Sequence, residues 1–360
     1  MVRSWGMLSA LFPQFPFLGH QRCSIFQPRV ARQGSRTLGW KTQPHAGLKK
    51  IVHSKSRSWA ELTLFLMASI AVAETPREGD YYKMITLPVP SEIALEVGGM
   101  GWLDAEKNRL LICTRRGDVW LVDNPYADAP RLANGDGAVN AGTKQVITYK
   151  RFARGLHEPL GLLRHKDGIY IAQRAELTRL QDTNGDDRAD VFKTVCDQWE
   201  TSGNYHEYAF GPKLDGKGFM WVTLNRAFGG EPEGRAHWRG WAVKIDPQGK
   251  MYPVCPGLRS PAGLGANVAG DMFYTENQGD WVAACRLSHL KTGSFQGNPF
   301  SLRSCDHPES PLKNPGNPPN GVNLEEAVKR MPSLMLPAVW FPYPRMGRSS
   351  SDVVYDDADG

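Results

Sequence analysis

Acidic residues are missing from the first sixty positions, which hold ten Lys and Arg and no Asp or Glu. The remaining 300 residues hold 33 basic and 37 acidic side chains, so the net charge of +6 belongs to the leader. No cluster of Lys and Arg occurs beyond it, and nucleic acid is not an expected partner. None of the six cysteines stands in a CxxC or CxxCH spacing, which excludes a thiolate metal site, a dithiol redox pair and a covalent haem. Five of them (Cys113, Cys196, Cys255, Cys285, Cys305) lie downstream of residue 73. An oxidising compartment permits disulfides, but an odd number leaves a thiol over and the pairing is not legible. The fingerprints G-x-S-x-G, H-E-x-x-H, the P-loop and the dinucleotide-binding glycines are absent, so hydrolase and nicotinamide readings have no residue-level support.

One apolar run stands out, Leu62 to Ala73. It is preceded by Lys49, Lys50, Lys55 and Arg57 and ends in Ala71-Val72-Ala73, the small-x-small pattern of a signal-peptidase site. The run is short for a membrane span. Residues 49–73 are therefore expected to be a secretory signal, and residues 1–48 an unstructured extension from an early start. The protein is expected to be secreted or periplasmic, or membrane-associated if the signal is retained as an anchor, with no other transmembrane span.

The sequence is rich in turns, with 37 glycines and 26 prolines. From about residue 95 a theme recurs: a small-residue turn, an apolar strand, a turn with Asp and Gly, and a second strand. Strands are expected at Arg109–Thr114, Val119–Val122, Ile169–Ala172, Leu177–Leu180, Met220–Thr223 and 271–275. The segments 155–162 and 257–264 share G-L-x-x-P-x-G-L. Such repeats at roughly fifty residues mark β-propeller blades, which stack because no single sheet covers its own faces. One helix is expected, 323–330, with Asn323 as N-cap and Glu326 at the third position. Pro308–Pro319 is expected to be a surface loop. Pro337–Tyr343 and Ser351–Asp356 resemble the opening of another blade. The expected fold is thus an all-β propeller over residues 83–360, C-terminally incomplete.

Three groups of residues could carry chemistry. In G-N-Y-H-E-Y-A-F-G-P (203–212), His206 has a pKa suited to a general base near neutrality; Glu207 is expected to face solvent and His157 to be structural. Asp182-Thr183-Asn184-Gly185-Asp186-Asp187-Arg188-Ala189-Asp190 offers oxygen ligands for Ca²⁺ at Asp182, Asn184, Asp186 and Asp190, with the Arg188 carbonyl between them. Lys193 stands where an EF-hand has its glutamate, so a structural ion in a hairpin is expected. Asn277-Gln278-Gly279-Asp280-Trp281 combines polar groups with an aromatic platform, suited to a sugar, a planar cofactor or a rigid loop.

Asn204, His206, Phe210-Gly211-Pro212 and Trp221-Val222-Thr223 follow the order of the histidine segment of the glucose/sorbosone dehydrogenase family of quinoproteins. Tyr205 intervenes and the turn is longer. Gly257, Arg259, Pro261, Gly263 and Leu264 are similar to that family's arginine segment, with Ser260 in place of Asn and Glu276 after the strand. Gln173-Arg174 stands for a strand-ending E-R. The texture resembles a branch of membrane-bound dehydrogenases in large planctomycete-type secreted proteins, without their cytochrome c module. The resemblance implies a six-bladed propeller using pyrroloquinoline quinone and calcium to oxidise a sugar, polyol or related aldehyde. His206 would be the catalytic base; Arg259, Arg174, Asn204 and Glu276 would contact the cofactor; a cytochrome c would accept electrons. The rival reading is a calcium-stiffened, non-enzymatic propeller that binds glycans or protein partners, and the fold alone does not separate the two.

Overall fold

The computed structural model describes residues 24–28, 82–127, 146–166, 168–228, 236–281, 283–343 and 345–355. The expected signal segment 49–73 lies outside them. Of the expected extension only β1 (Ser24–Pro28) is described, paired antiparallel with β2 (Tyr82–Thr86) in a unit of its own.

The other unit holds four antiparallel sheets of four strands. The first blade is β3 (Val97–Asp104), β4 (Arg109–Thr114), β5 (Val119–Asp123) and β6 (Thr148–Ala153). The second is β7 (Leu162–His165), β8 (Gly168–Ala172), β9 (Leu177–Gln181) and β10 (Val191–Cys196). The third is β11 (Ala209–Leu214), β12 (Met220–Leu224), β13 (Trp241–Ile245) and β14 (Met251–Pro256). The fourth is β15 (Gly263–Ala266), β16 (Met272–Glu276), β17 (Cys285–His289) and β18 (Val339–Phe341). This is a β-propeller arrangement. The described residues form four blades where six were expected. Pro337–Tyr343 does not open a new blade, because β18 completes the fourth by pairing with β17.

Middle strands are apolar on both faces because a neighbouring blade covers each. On β12, Met220, Val222 and Leu224 join one core with Trp241, Val243, Ile245, Leu177 and Trp199, while Trp221 points the other way into a core with Val254, Leu264 and Tyr274. That is the period of two expected of a pleated strand. Each such side chain, fully buried, contributes about 1.5–3 kcal/mol. Outer strands lose this pattern, and Tyr149 to Arg151 and Phe192 to Thr194 are largely exposed. Hairpins close on aspartates: Asp215 accepts from the backbone N–H of Lys217 and Phe219, and Asp246 from those of Gln248 and Lys250.

Glycine sets how closely the innermost strands approach. A Cβ at Gly161 (φ +152) would lie 1.9 Å from the Gly211 carbonyl oxygen, and one at Gly265 2.1 Å from that of Val353. The segment 351–353 therefore runs along β15. The helix α1 (Leu324–Arg330) forms where expected, with the Asn323 side chain accepting from Glu326 N–H at 2.8 Å. It packs Ala327 into the core, and a 3-10 helix at Pro299–Asp306 adds Leu302 and Cys305.

Candidate functional site

The second strand of every blade ends in a polar pair: Thr114-Arg115, Gln173-Arg174, Asn225-Arg226 and Glu276-Asn277. The first member is buried each time. Gln173 accepts from His157 N–H, and Glu276 accepts from the N–H groups of Arg259 (2.7 Å) and Ser260 (3.3 Å). Asn225 donates to Ser260 Oγ at 3.4 Å. Glu276 also takes a charge-assisted pair of hydrogen bonds from the buried Arg286 guanidinium. The turns carrying His157 and Arg259 are thus fixed by the same device, so a repeat in sequence becomes a repeat in geometry.

His206 lies on the segment joining β10 to β11. Asn204 Oδ1 accepts from His206 N–H at 3.1 Å and from Phe228 N–H at 3.3 Å, and its amide donates to the Phe228 carbonyl at 3.0 Å. Glu207, expected in solvent, is fully buried, because its carboxylate accepts from both the N–H and the hydroxyl of Ser202. Arg239 locks the segment from beneath. Its guanidinium donates to the carbonyls of Glu200 (2.7 Å), Glu207 (2.9 Å), Tyr208 (3.1 Å) and Arg174 (2.8 Å).

These supports bring together groups distant in sequence. The Arg259 and Arg226 guanidiniums lie 4.4 and 4.2 Å from the Phe228 ring centroid, and the His206 imidazole meets the same ring edge-on at 4.8 Å. Tyr205 covers the imidazole at 3.8 Å. Arg174 donates to the carbonyls of Asn204 and Tyr205 and pairs with Glu158 at 3.1 Å. Asp280 pairs with Arg226 at 2.8 Å and Arg259 at 3.5 Å. Burial, then the charges of Arg259, Arg174 and Arg226, hold the His206 pKa below the ordinary histidine value. Its Nδ1 is buried without a hydrogen-bond partner among the described residues. A neutral imidazole ringed by guanidiniums is equipped to take a proton beside an anion.

Of the expected site residues, His206, Arg174 and Arg259 converge. Asn204 and Glu276 lie next to them, with their side chains engaged on backbone and on Arg286. Trp281 is not a free platform, since its indole N–H donates to the Pro319 carbonyl and its ring packs on the core and against Gly297. Arg226, Phe228, Arg239 and Arg286 were missed; comparing the ends of the second strands would have found Arg226.

The loop Asp182–Asp190 sits in a hairpin between β9 and β10, and its side-chain oxygens close turns. Asp182 accepts from Gly185 and Asp187 N–H, Asn184 from Asp186 N–H, and Asp186 from Arg188 N–H. Asp190 accepts from the N–H and hydroxyl of Thr183, and Asp187 pairs with Arg109 and Lys150 of the first blade, both at 2.6 Å. The donors close turns and bridge blades, and no group of three or more His, Cys, Asp or Glu suited to a metal occurs among the described residues. Cys113, Cys196, Cys255, Cys285 and Cys305 are buried free thiols, and burial pushes Cys113 and Cys255 up to about 12. A cavity of about 340 Å³ lined by Lys244, Lys250, Tyr252 and Glu309 includes none of the clustered residues. No helix among the described residues is long and apolar enough to cross a membrane.

A family model described as a domain of unknown function (DUF7133) matches residues 134–308. No curated protein matches the chain. The chain is similar to solved quinoprotein sugar dehydrogenases. One is the PQQ-bound form of aldose sugar dehydrogenase from Streptomyces coelicolor, at 13% identity and TM-score 0.45, covering 72% of each chain. Another is the soluble aldose sugar dehydrogenase of Escherichia coli, at 14% and 0.41, covering 56% of this chain and 62% of that one. A third is the PQQ domain of pyranose dehydrogenase from Coprinopsis cinerea, at 14% and 0.41, covering 59% and 56%. The match thus spans less than two thirds of the latter two.

Proposed function

We propose that this propeller is a secreted dehydrogenase module that oxidises a sugar, polyol or related aldehyde with pyrroloquinoline quinone. One observation carries the proposal: Arg226 and Arg259 lie over the Phe228 ring that the His206 imidazole meets, and Arg174 holds the carbonyl of the preceding Tyr205, so guanidiniums from strand ends and turns of three blades gather around one imidazole. Pyrroloquinoline quinone is flat and bears carboxylates, and this donor set fits such an anion. Arg174, Arg226 and Arg259 would hold it, since guanidiniums present paired N–H donors to carboxylate and quinone oxygens. Bound there, the quinone supplies a two-electron acceptor for the hydride leaving the alcohol carbon. His206 takes the hydroxyl proton at Nε2, because Nδ1 is buried. Burial and then the arginines keep the imidazole unprotonated beforehand, with the Phe228 ring packed against it. A cytochrome c or another acceptor is the proposed electron sink. Secretion rests on the signal read in residues 49–73.

A second reading, a non-enzymatic module binding glycans or proteins, is favoured by Ser260 at the family's Asn position and by the backbone duties of Asn204 and Glu276. Titration of purified protein with pyrroloquinoline quinone, followed by absorbance and tryptophan fluorescence, separates the two. Saturable uptake weakened at least tenfold in Arg259→Ala supports the dehydrogenase, because one desolvated charge-assisted contact is worth about 1.5–3 kcal/mol. Absence of uptake leaves the binding module.

A further inference from the structure

Tyr205 departs from the motif that surrounds it, being inserted between the asparagine and the histidine. Its side chain is among the most exposed large hydrophobics, at 64%. Yet the residue is rigidly set. Its carbonyl is held by Arg174, and its neighbours are pinned through the Asn204 side chain. The ring lies 3.8 Å from the His206 imidazole with a 37° tilt, so one face is committed to the histidine and the rest of the ring is open to solvent. Held in place beside the imidazole, the exposed ring presents an apolar surface with a polar tip to a ligand entering the site. We infer that Tyr205 is the substrate platform of the site, a specificity-determining ring whose solvent-facing surface takes the C–H face of a pyranose.

The exposure gradient decides between substrate and cofactor. Arg174 is buried and Arg259 partly so, which suits a tightly held anion, whereas Tyr205 stands at the rim where a molecule that enters and leaves every turnover must pass. The ring's neighbours agree with this placement, since the nearby guanidiniums cover other rings: Arg174 lies over Tyr208, and Arg226 and Arg259 over Phe228. Tyr205 is left to meet a neutral, C–H-rich surface.

This inference rests on the proposed sugar-oxidising site, but its test does not depend on turnover. Binding of a panel of pyranoses and of linear polyols to the full chain is measured by saturation-transfer NMR and calorimetry for wild type, Tyr205→Phe and Tyr205→Ala. The same variants are titrated with pyrroloquinoline quinone. The expected result is pyranose affinity kept in Tyr205→Phe, lowered about tenfold or more in Tyr205→Ala, and quinone affinity unchanged in both. If sugars bind in this Tyr205-dependent manner but no oxidation occurs, the dehydrogenase reading fails and the platform stands. Equal pyranose affinity in wild type and Tyr205→Ala, no pyranose binding by wild type, or a loss confined to the quinone overturns the platform.

Discussion

Replacing Arg239 by methionine tests whether the His206 segment is held from below. The guanidinium is fully buried and donates to four carbonyls, those of Arg174, Glu200, Glu207 and Tyr208. Burial lowers its pKa to about 9, with the Glu207 carboxylate opposing the fall, so it is charged at neutral pH. Methionine fills much of the volume but donates nothing. The Arg174 carbonyl keeps the Trp199 indole N–H and the Tyr208 carbonyl keeps the Asn225 N–H, so the carbonyls of Glu200 and Glu207 are the two left orphaned. Each orphaned buried acceptor costs about 1–3 kcal/mol, and taking the low end for two gives about 2 kcal/mol. For a domain of this size each kcal/mol moves Tm by about 2–4 °C, so Arg239→Met should lower Tm by about 4–8 °C. Thermal unfolding followed by circular dichroism reads this directly, with Arg239→Lys intermediate because one ammonium cannot reach all four oxygens. At 20 °C, where the variant is still folded, quinone affinity should also fall, because Arg174 and the His206 segment lose their shared anchor. A Tm change under about 3 °C would refute the clamp.

The His206 pKa is held below its ordinary value, so the acid limb of kcat/KM should have its midpoint below about pH 6.5, and Arg259→Met should move it upward. The same depression contributes stability that is present above about pH 6.5 and is lost as pH falls through the lowered value; a limb unmoved by Arg259→Met counts against the electrostatic account. Glu276→Ala leaves the Arg286 charge and two N–H groups unpartnered and should cost about 3–5 kcal/mol in urea unfolding, with much of it restored by Glu276→Leu combined with Arg286→Met. A loss below about 1 kcal/mol in the single variant contradicts that. Millimolar Ca²⁺ or a chelator should leave Tm unchanged, whereas Asp187→Asn should destabilise by about 1 kcal/mol through the partly exposed pairs with Arg109 and Lys150. A rise of several degrees with Ca²⁺ would restore the ion-binding reading of the Asp182–Asp190 loop.

The blades were legible because their strands obey local rules. Arg109–Thr114 appears as β4 with the same bounds, and Val119–Val122, Leu177–Leu180 and Met220–Thr223 each lie within β5, β9 and β12. The Asn323 cap is likewise local chemistry. In the Asp182–Asp190 loop, oxygen spacing for a cation and oxygen spacing for Asx turns are written with the same letters, and only the folded chain shows the N–H partners that make the turns. Glu207, Arg239 and Arg286 were not legible, since a charged residue is buried only when partners satisfy it, and the partners here (Ser202 for Glu207, Glu276 for Arg286, four carbonyls for Arg239) are brought into place by tertiary packing. Arg226 stood in a repeated position, at the end of a second strand, and was recoverable from the sequence; Phe228 became visible only once Arg226 and Arg259 lay against it.

The account turns on His206 acting as the base beside a guanidinium-held anion. Its most direct test is dye-coupled turnover of the quinone-loaded protein on a sugar panel, comparing wild type with His206→Ala at matched quinone occupancy. Loss of a general base predicts a fall in kcat of about 10²–10⁴-fold with quinone affinity retained. A His206→Ala protein that turns over as fast as wild type would contradict it.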